Sequence, residues 1–230
     1  MRSTGRRSSP APAGYPRPVN PKTLDHVALW VADRRRMVER AVELLGTRVI
    51  EETERFTLLG TDARRGKLTL FDAEGARERG ALRRVGLRVS TLDGRPPLVD
   101  LGEGLEVELV ESDTDSELDL DHVALLASDV EAAAVGWEEL GLSRVGDARL
   151  EVGGAFVDLV PGDPGVPERP LLNHLAVLVD SVEEHHSEAE ELGVEIDDLV
   201  DAPNTIALFV YGPDRVRLEY VEHKASFSLT

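Results

Sequence analysis

Three of the six histidines stand at one repeated position. Leu24-Asp25-His26-Val27-Ala28-Leu29 returns unchanged as Leu120-Asp121-His122-Val123-Ala124-Leu125, and more loosely as Leu172-Asn173-His174-Leu175-Ala176-Val177. A fourth copy, Leu82-Arg83-Arg84-Val85-Gly86-Leu87, carries arginine in the histidine slot. Imidazoles at equivalent places in a repeat are candidate metal ligands, because internal symmetry can bring the copies around one point. Carboxylates recur in the same way: aligning Asp158-Leu159-Val160 on Glu219-Tyr220-Val221 equates Asp158 with Glu219, the second unit supplies Glu108, and the first supplies Leu70. The last two units therefore offer His122, Asp158, His174 and Glu219. Two histidines with one carboxylate hold ferrous iron and leave coordination positions open, whereas a second carboxylate suits Zn, Ni, Mn or Co. In the first two units only His26 and Glu108 remain as donors, and Arg84 is placed to close that second site as a salt bridge with Glu108. One working site is expected, in the C-terminal half.

The other polar candidates read as structural. His185 and His186 fall mid-helix beside Glu183, Glu184, Glu188, Glu190 and Glu191, a pattern expected on a solvated face. His223 follows the last strand and is expected to be exposed. Arg217 shares a strand face with Glu219, where an ion pair is expected. Trp137 has the spacing of a core residue.

Each histidine must be positioned by a strand, and the residues after each copy also repeat. An acidic or hydroxyl residue (Asp33, Asp129, Ser181) precedes apolar residues at helical spacing, and a glycine (Gly46, Gly141, Gly193) stops them. Short β-rich runs come next, so the pattern is βαβββ four times: an α+β fold of tandem units forming two half-barrel pairs. In the second unit, Ser90 to Pro97 is too short and proline-rich for a helix. Side chains alternate along strands, so Val27, Leu29 and Val31 pack under the helix while His26, Ala28 and Trp30 line the opposite face, as do His122 and His174 in their own strands. The expected division is a flexible basic arm over 1–21, an N-terminal pair over 22–112 with a vestigial site, and a C-terminal pair over 118–223 carrying the metal.

Composition narrows the function classes. The 230 residues contain 44 acids and 26 bases, and the first 22 residues hold five of the bases and no acid. The remaining 208 carry 21 bases against 44 acids, a net −23, which disfavours nucleic acid and anionic membrane surfaces as partners. Absence of cysteine excludes disulfides and thiolate chemistry. The twin Arg6-Arg7 is not followed by a hydrophobic stretch, so an export signal is not expected and a cytoplasmic location is.

Tandem βαβββ units, a histidine in the opening strand and a glutamate in the closing one resemble the vicinal oxygen chelate superfamily, which includes glyoxalase I, methylmalonyl-CoA epimerase, bleomycin-resistance proteins and extradiol ring-cleaving dioxygenases. The stretch Tyr211-Gly212-Pro213-Asp214-Arg215-Val216-Arg217-Leu218-Glu219 is similar to the family's Asp-Pro-Asp-Gly-…-Glu ending, with Gly212 and Arg215 as departures. The resemblance runs from about Thr23 to His223. Four units in one chain look like the extradiol dioxygenases, which implies His122, His174 and Glu219 as iron ligands. Those enzymes place an acid–base histidine near the position of Asp158 and a tyrosine about ten residues before the glutamate. Here the latter position is Phe209, with Tyr211 pointing the same way, so Asp158 is expected as base or fourth ligand and Tyr211 as the catalytic hydroxyl. The resemblance implies a divalent ion, Fe(II) first, and a small substrate with adjacent oxygens. The lean is to a dioxygenase, with a glyoxalase- or epimerase-type lyase or isomerase, or a metal-free bleomycin-resistance-like binder, as alternatives. Such paired units can also be shared between two chains of a homodimer.

Overall fold

The computed structural model describes residues 20–61, 66–114 and 116–227; the expected basic arm lies, save for its last two residues, outside them. The first unit comprises β1 (Thr23–Val31), α1 (Arg34–Leu45), β2 (Arg48–Glu52), β3 (Phe56–Gly60) and β4 (Lys67–Asp72). The second has three strands and no helix: β5 (Leu82–Val89), β6 (Leu98–Gly102) and β7 (Leu105–Glu111). The third comprises β8 (Asp119–Ala127), α2 (Val130–Glu139), β9 (Ser143–Arg144), β10 (Arg149–Val152) and β11 (Ala155–Pro161). The fourth comprises β12 (Leu172–Leu178), α3 (Val182–Leu192), β13 (Ile196–Asp201), β14 (Thr205–Tyr211), a 3-10 turn over Pro213–Arg215, and β15 (Arg217–His223).

Local chemistry sets the helix ends. The carboxylates of Asp33 and Asp129 and the Ser181 hydroxyl each accept from the backbone N–H three residues on, satisfying a donor that the first turn leaves free. Gly46 and Gly193 close their helices in the left-handed conformation. Val27, Leu29, Val31 and Trp137 are buried, as their spacing requires.

The pairing of units departs from expectation. One sheet runs β13-β14-β15-β12-β1-β4-β3-β2 and joins the fourth unit to the first; the other runs β6-β7-β5-β8-β11-β10-β9 and joins the second to the third. The contiguous halves 22–112 and 118–223 therefore do not correspond to the two half-barrels. Connection length accounts for this. Only seven residues separate β7 from β8, which keeps the second and third units side by side through antiparallel β5–β8. The two longer connections carry the chain between sheets, and they bond to each other: Glu78 N–H donates to Arg169 O at 2.8 Å and Leu171 N–H to Glu78 O at 2.7 Å.

The first and second units, and the third and fourth, meet around helix starts instead. The Glu103 carboxylate, in the β6–β7 turn, accepts from the N–H groups of Ala32 and Asp33 before α1, and Arg40 of α1 donates to Leu101 O at 2.9 Å. Likewise Asp214, ahead of β15, accepts from Ser128 N–H and hydroxyl ahead of α2. Among the described residues no helix is long and apolar enough to cross a membrane.

Candidate metal centre

A shared irregularity aims the histidines. In each unit's first strand, the residue before the repeat position is skipped in the antiparallel register: Asp25 in β1, Arg83 in β5, Asp121 in β8 and Asn173 in β12. Such bulges bend a strand and re-aim side chains. Here the bulged side chain reaches the following imidazole. Asp25 Oδ2 lies 2.8 Å from His26 Nδ1, Asp121 Oδ1 2.8 Å from His122 Nδ1, and Asn173 Oδ1 2.9 Å from His174 Nδ1. With each Nδ1 engaged, each Nε2 is left to face the trough. The signal is present in the sequence as Asp-His, Asp-His and Asn-His; strict alternation, which sends neighbours to opposite faces, hid it.

At the centre of the first sheet His26, His174 and Glu219 converge, and their ligand atoms lie within 4.8 Å of one another. His174 Nε2 is 2.8 Å from Glu219 Oε2, His26 Nε2 is 3.3 Å from the same oxygen, and the two Nε2 atoms are 3.1 Å apart. His174 and Glu219 are buried, at 4% and 6% exposure. Burial opposes charge on His26, but its hydrogen bonds to Asp25 and Glu219 outweigh that and lift its pKa to about 9. Burial holds His174 below its ordinary value against the pull of Glu219. Glu219 sits far below the usual carboxylate range, because His174 and His26 overcome the cost of burying it. His26 is thus favoured as the charged imidazole, while His174 is held toward neutral with its Nε2 against Glu219. Two imidazole nitrogens and a carboxylate oxygen aimed at one point, with their outer nitrogens already tied, fit a divalent ion.

The sequence-derived set is thus divided. His174 and Glu219 meet, but the second imidazole is His26, the residue assigned to a vestigial site. His122 and Asp158 stand in the other sheet, because β12 pairs with β1 and not with β8. Register fixes four inward positions in each trough. Glu219 pairs with Ala176, two residues past His174, and Thr69 pairs with Ala28, two past His26, so the first unit's position is Thr69 and not Leu70. The second trough has Arg84, Glu108, His122 and Asp158. There Arg84 binds Glu108 at 2.5 Å, as expected, and Arg149 holds both oxygens of Asp158 at 2.6 Å. His122 Nε2 is 3.7 Å from Glu108 and finds no second imidazole among the described residues.

Aromatic rings wall the first trough. Phe71 and Phe209 centroids lie 6.3 and 5.3 Å from that of His174, and Trp30 and Phe56 pack on Phe71 at 5.4 and 5.7 Å. At the register positions of Trp30, Phe71 and Phe209 the second trough has Leu126, Val160 and Leu98. Arg217 forms the expected ion pair, with Asp197 at 2.6 Å, and lies 3.8 Å over the Phe209 ring. Beyond the triad, along the same strands, a cavity of about 720 Å³ is lined in part by Trp30, Leu172, Asn173, Tyr211 and Arg217. Tyr211 is half-buried there, under the Arg215 guanidinium. His185, expected on a solvated face, is buried at 2% exposure and stacked on Tyr220 at 4.3 Å. His223, expected to be exposed, is half-buried and stacked on Phe227.

No protein-family model matches the sequence, and no curated protein matches it. Solved structures do match in fold. A protein described as a putative dioxygenase from Bacillus subtilis has a TM-score of 0.69 at 14% identity, over 89% of this chain and 86% of its own. Glyoxalase I from Zea mays has a TM-score of 0.64 at 17% identity, over 87% of this chain and 92% of its own. The cppA protein from Streptococcus pneumoniae has a TM-score of 0.59 at 16% identity, over 89% and 99%. The chain has the fold of the vicinal oxygen chelate proteins.

Proposed function

We propose that this chain is a divalent-metal enzyme of the glyoxalase–dioxygenase kind, its ion held by His26, His174 and Glu219, and that it acts as an extradiol-type dioxygenase on a flat substrate with two adjacent oxygens. The observation that carries the dioxygenase reading is the fourth inward position. Thr69 occupies it, so the donor set has two imidazoles and a single carboxylate. That set suits Fe(II) with open positions better than a four-ligand Zn or Ni site. When bound, the ion would attract two neighbouring oxygens and stabilise negative charge developing on them.

The chain's own groups supply the rest. Glu219 contributes one negative charge and the imidazoles none, which leaves a divalent site net positive toward an anionic oxygen pair. Phe71 and Phe209 offer faces for a planar ring, and Trp30 and Phe56 extend that wall. That Trp30, Phe71 and Phe209 give way to Leu126, Val160 and Leu98 at the matching positions of the second trough supports a substrate role over simple packing. Tyr211 is the phenol on the cavity wall and is proposed to hydrogen-bond a substrate oxygen; Asp158, tied to Arg149 in the other sheet, is not the base.

The test is oxygen uptake by Fe(II)-loaded protein with a panel of catechols, alongside metal analysis of protein purified without chelator. Oxygen consumption that requires both iron and catechol supports the proposal. Metal-dependent isomerisation of a 2-oxoaldehyde thiol adduct without oxygen would instead support the glyoxalase alternative, which the fold likeness to glyoxalase I favours. Absence of bound metal would leave the ligand-sequestering alternative.

A further inference from the structure

Lys67 is buried at 2% exposure, and its ammonium lies 2.8 and 3.0 Å from the two oxygens of Asp25, itself 3% exposed. Among the described residues His223, with Nε2 3.7 Å from Asp25, is the further titratable group facing that carboxylate. Asp25 in turn engages His26 Nδ1. Burying a lysine and an aspartate carries a desolvation cost that their attraction only roughly repays, so stability alone gives little reason for the pair. In the second sheet a cation from a different strand meets the bulged aspartate: Arg88 of β5 binds Asp121 at 3.1 Å, and Asp121 lies 2.8 Å from His122, while Phe156 stands at the register position of Lys67. His174 differs, for its partner is the neutral amide of Asn173.

We propose that Lys67 and Asp25 are positioning residues for the metal centre, making His26 its anionically backed ligand and His174 its neutral one. Asp25 fixes the tautomer that leaves the Nε2 lone pair toward the ion, and it strengthens that nitrogen as a donor. Lys67, bound to both carboxylate oxygens, holds Asp25 in place. The proposal rests on the metal site proposed above.

Zinc titration of the full chain tests it, using wild type, Asp25→Asn, Asp25→Asn/Lys67→Met, Lys67→Arg and His174→Ala. Asp25→Asn keeps an amide hydrogen bond of the Asn173 kind, and the double variant removes both buried charges at similar volume. Each variant that circular dichroism finds folded is read. Both Asp25 variants should bind zinc about 10–100-fold more weakly, and their Co(II) forms should show a shifted visible absorption band. Lys67→Arg, which keeps a cation beside Asp25, should bind zinc with near-wild-type affinity. A folded Asp25 variant with wild-type zinc affinity and an unchanged Co(II) spectrum would overturn the proposal alone. A wild type that takes up no zinc, or a His174→Ala variant that binds as well as wild type, would overturn the metal site and this proposal with it.

Discussion

At the triad, two imidazole nitrogens and a carboxylate oxygen lie no more than 3.3 Å apart. Neither histidine is dispensable in that geometry, so His26→Ala and His174→Ala should both abolish tight metal binding. Each loss should exceed the ~10–100-fold that removing a supporting residue costs. His122→Ala should leave metal binding unchanged, since His122 faces Glu108 and its arginine in the other sheet. Equilibrium titration with Zn(II) checks all three, and equal losses from His122 and His174 would contradict the assignment. The repeat made the histidine position readable from the sequence, along with the carboxylate at Glu219. Which copies meet was not readable, because every copy satisfies the same local pattern and the choice is made by strand pairing far away in the chain.

Strands and helices carry their own consequences. His122 lies over Gly86, where the other three units have alanine; a Cβ there would come within 2.2 Å of the imidazole Nδ1. Gly86→Ala should therefore destabilise the second sheet by about 1–3 kcal/mol through overpacking, measured as a lowered urea midpoint with the m-value unchanged. In α3, burial holds His185 down to about 4, against an ordinary value near 6.5. The unfolded chain therefore takes up this proton first on acidification. The stability contributed is full above pH 6.5 and is lost as the pH falls toward 4. Glu188, 3.3 Å away, offsets part of the loss. The wild type should lose about 1 kcal/mol more than His185→Phe between pH 6.5 and 5, followed by urea unfolding at the two pH values. Helix ends were readable because caps and glycines act locally. The inward face of α3 was not, since its acids masked a histidine that stacks on Tyr220, a residue of β15.

In the whole molecule the four units close a ring of contacts. First and second meet through α1 and the Glu103 turn, second and third through β5–β8, third and fourth through Asp214 and Ser128, and fourth and first through β12–β1. The triad straddles the last of these seams, with His26 on one side and His174 and Glu219 on the other. Unit boundaries could be counted from the sequence, but this closure depends on which strand edges find each other, and the repeat makes those edges alike. Cutting the chain at the short connection between β7 and β8 would separate the ligands. Residues 22–112 alone retain His26 without its partners, and residues 118–223 alone retain His174 and Glu219 without the other imidazole. Neither half should bind metal tightly by itself. Produced together, the halves have both antiparallel seams available to pair, and the mixture should recover one metal ion per pair of fragments, measured on the complex isolated by size-exclusion chromatography. Tight binding by 118–223 alone would place the site within one contiguous half and contradict the closure of the ring through β1 and β12.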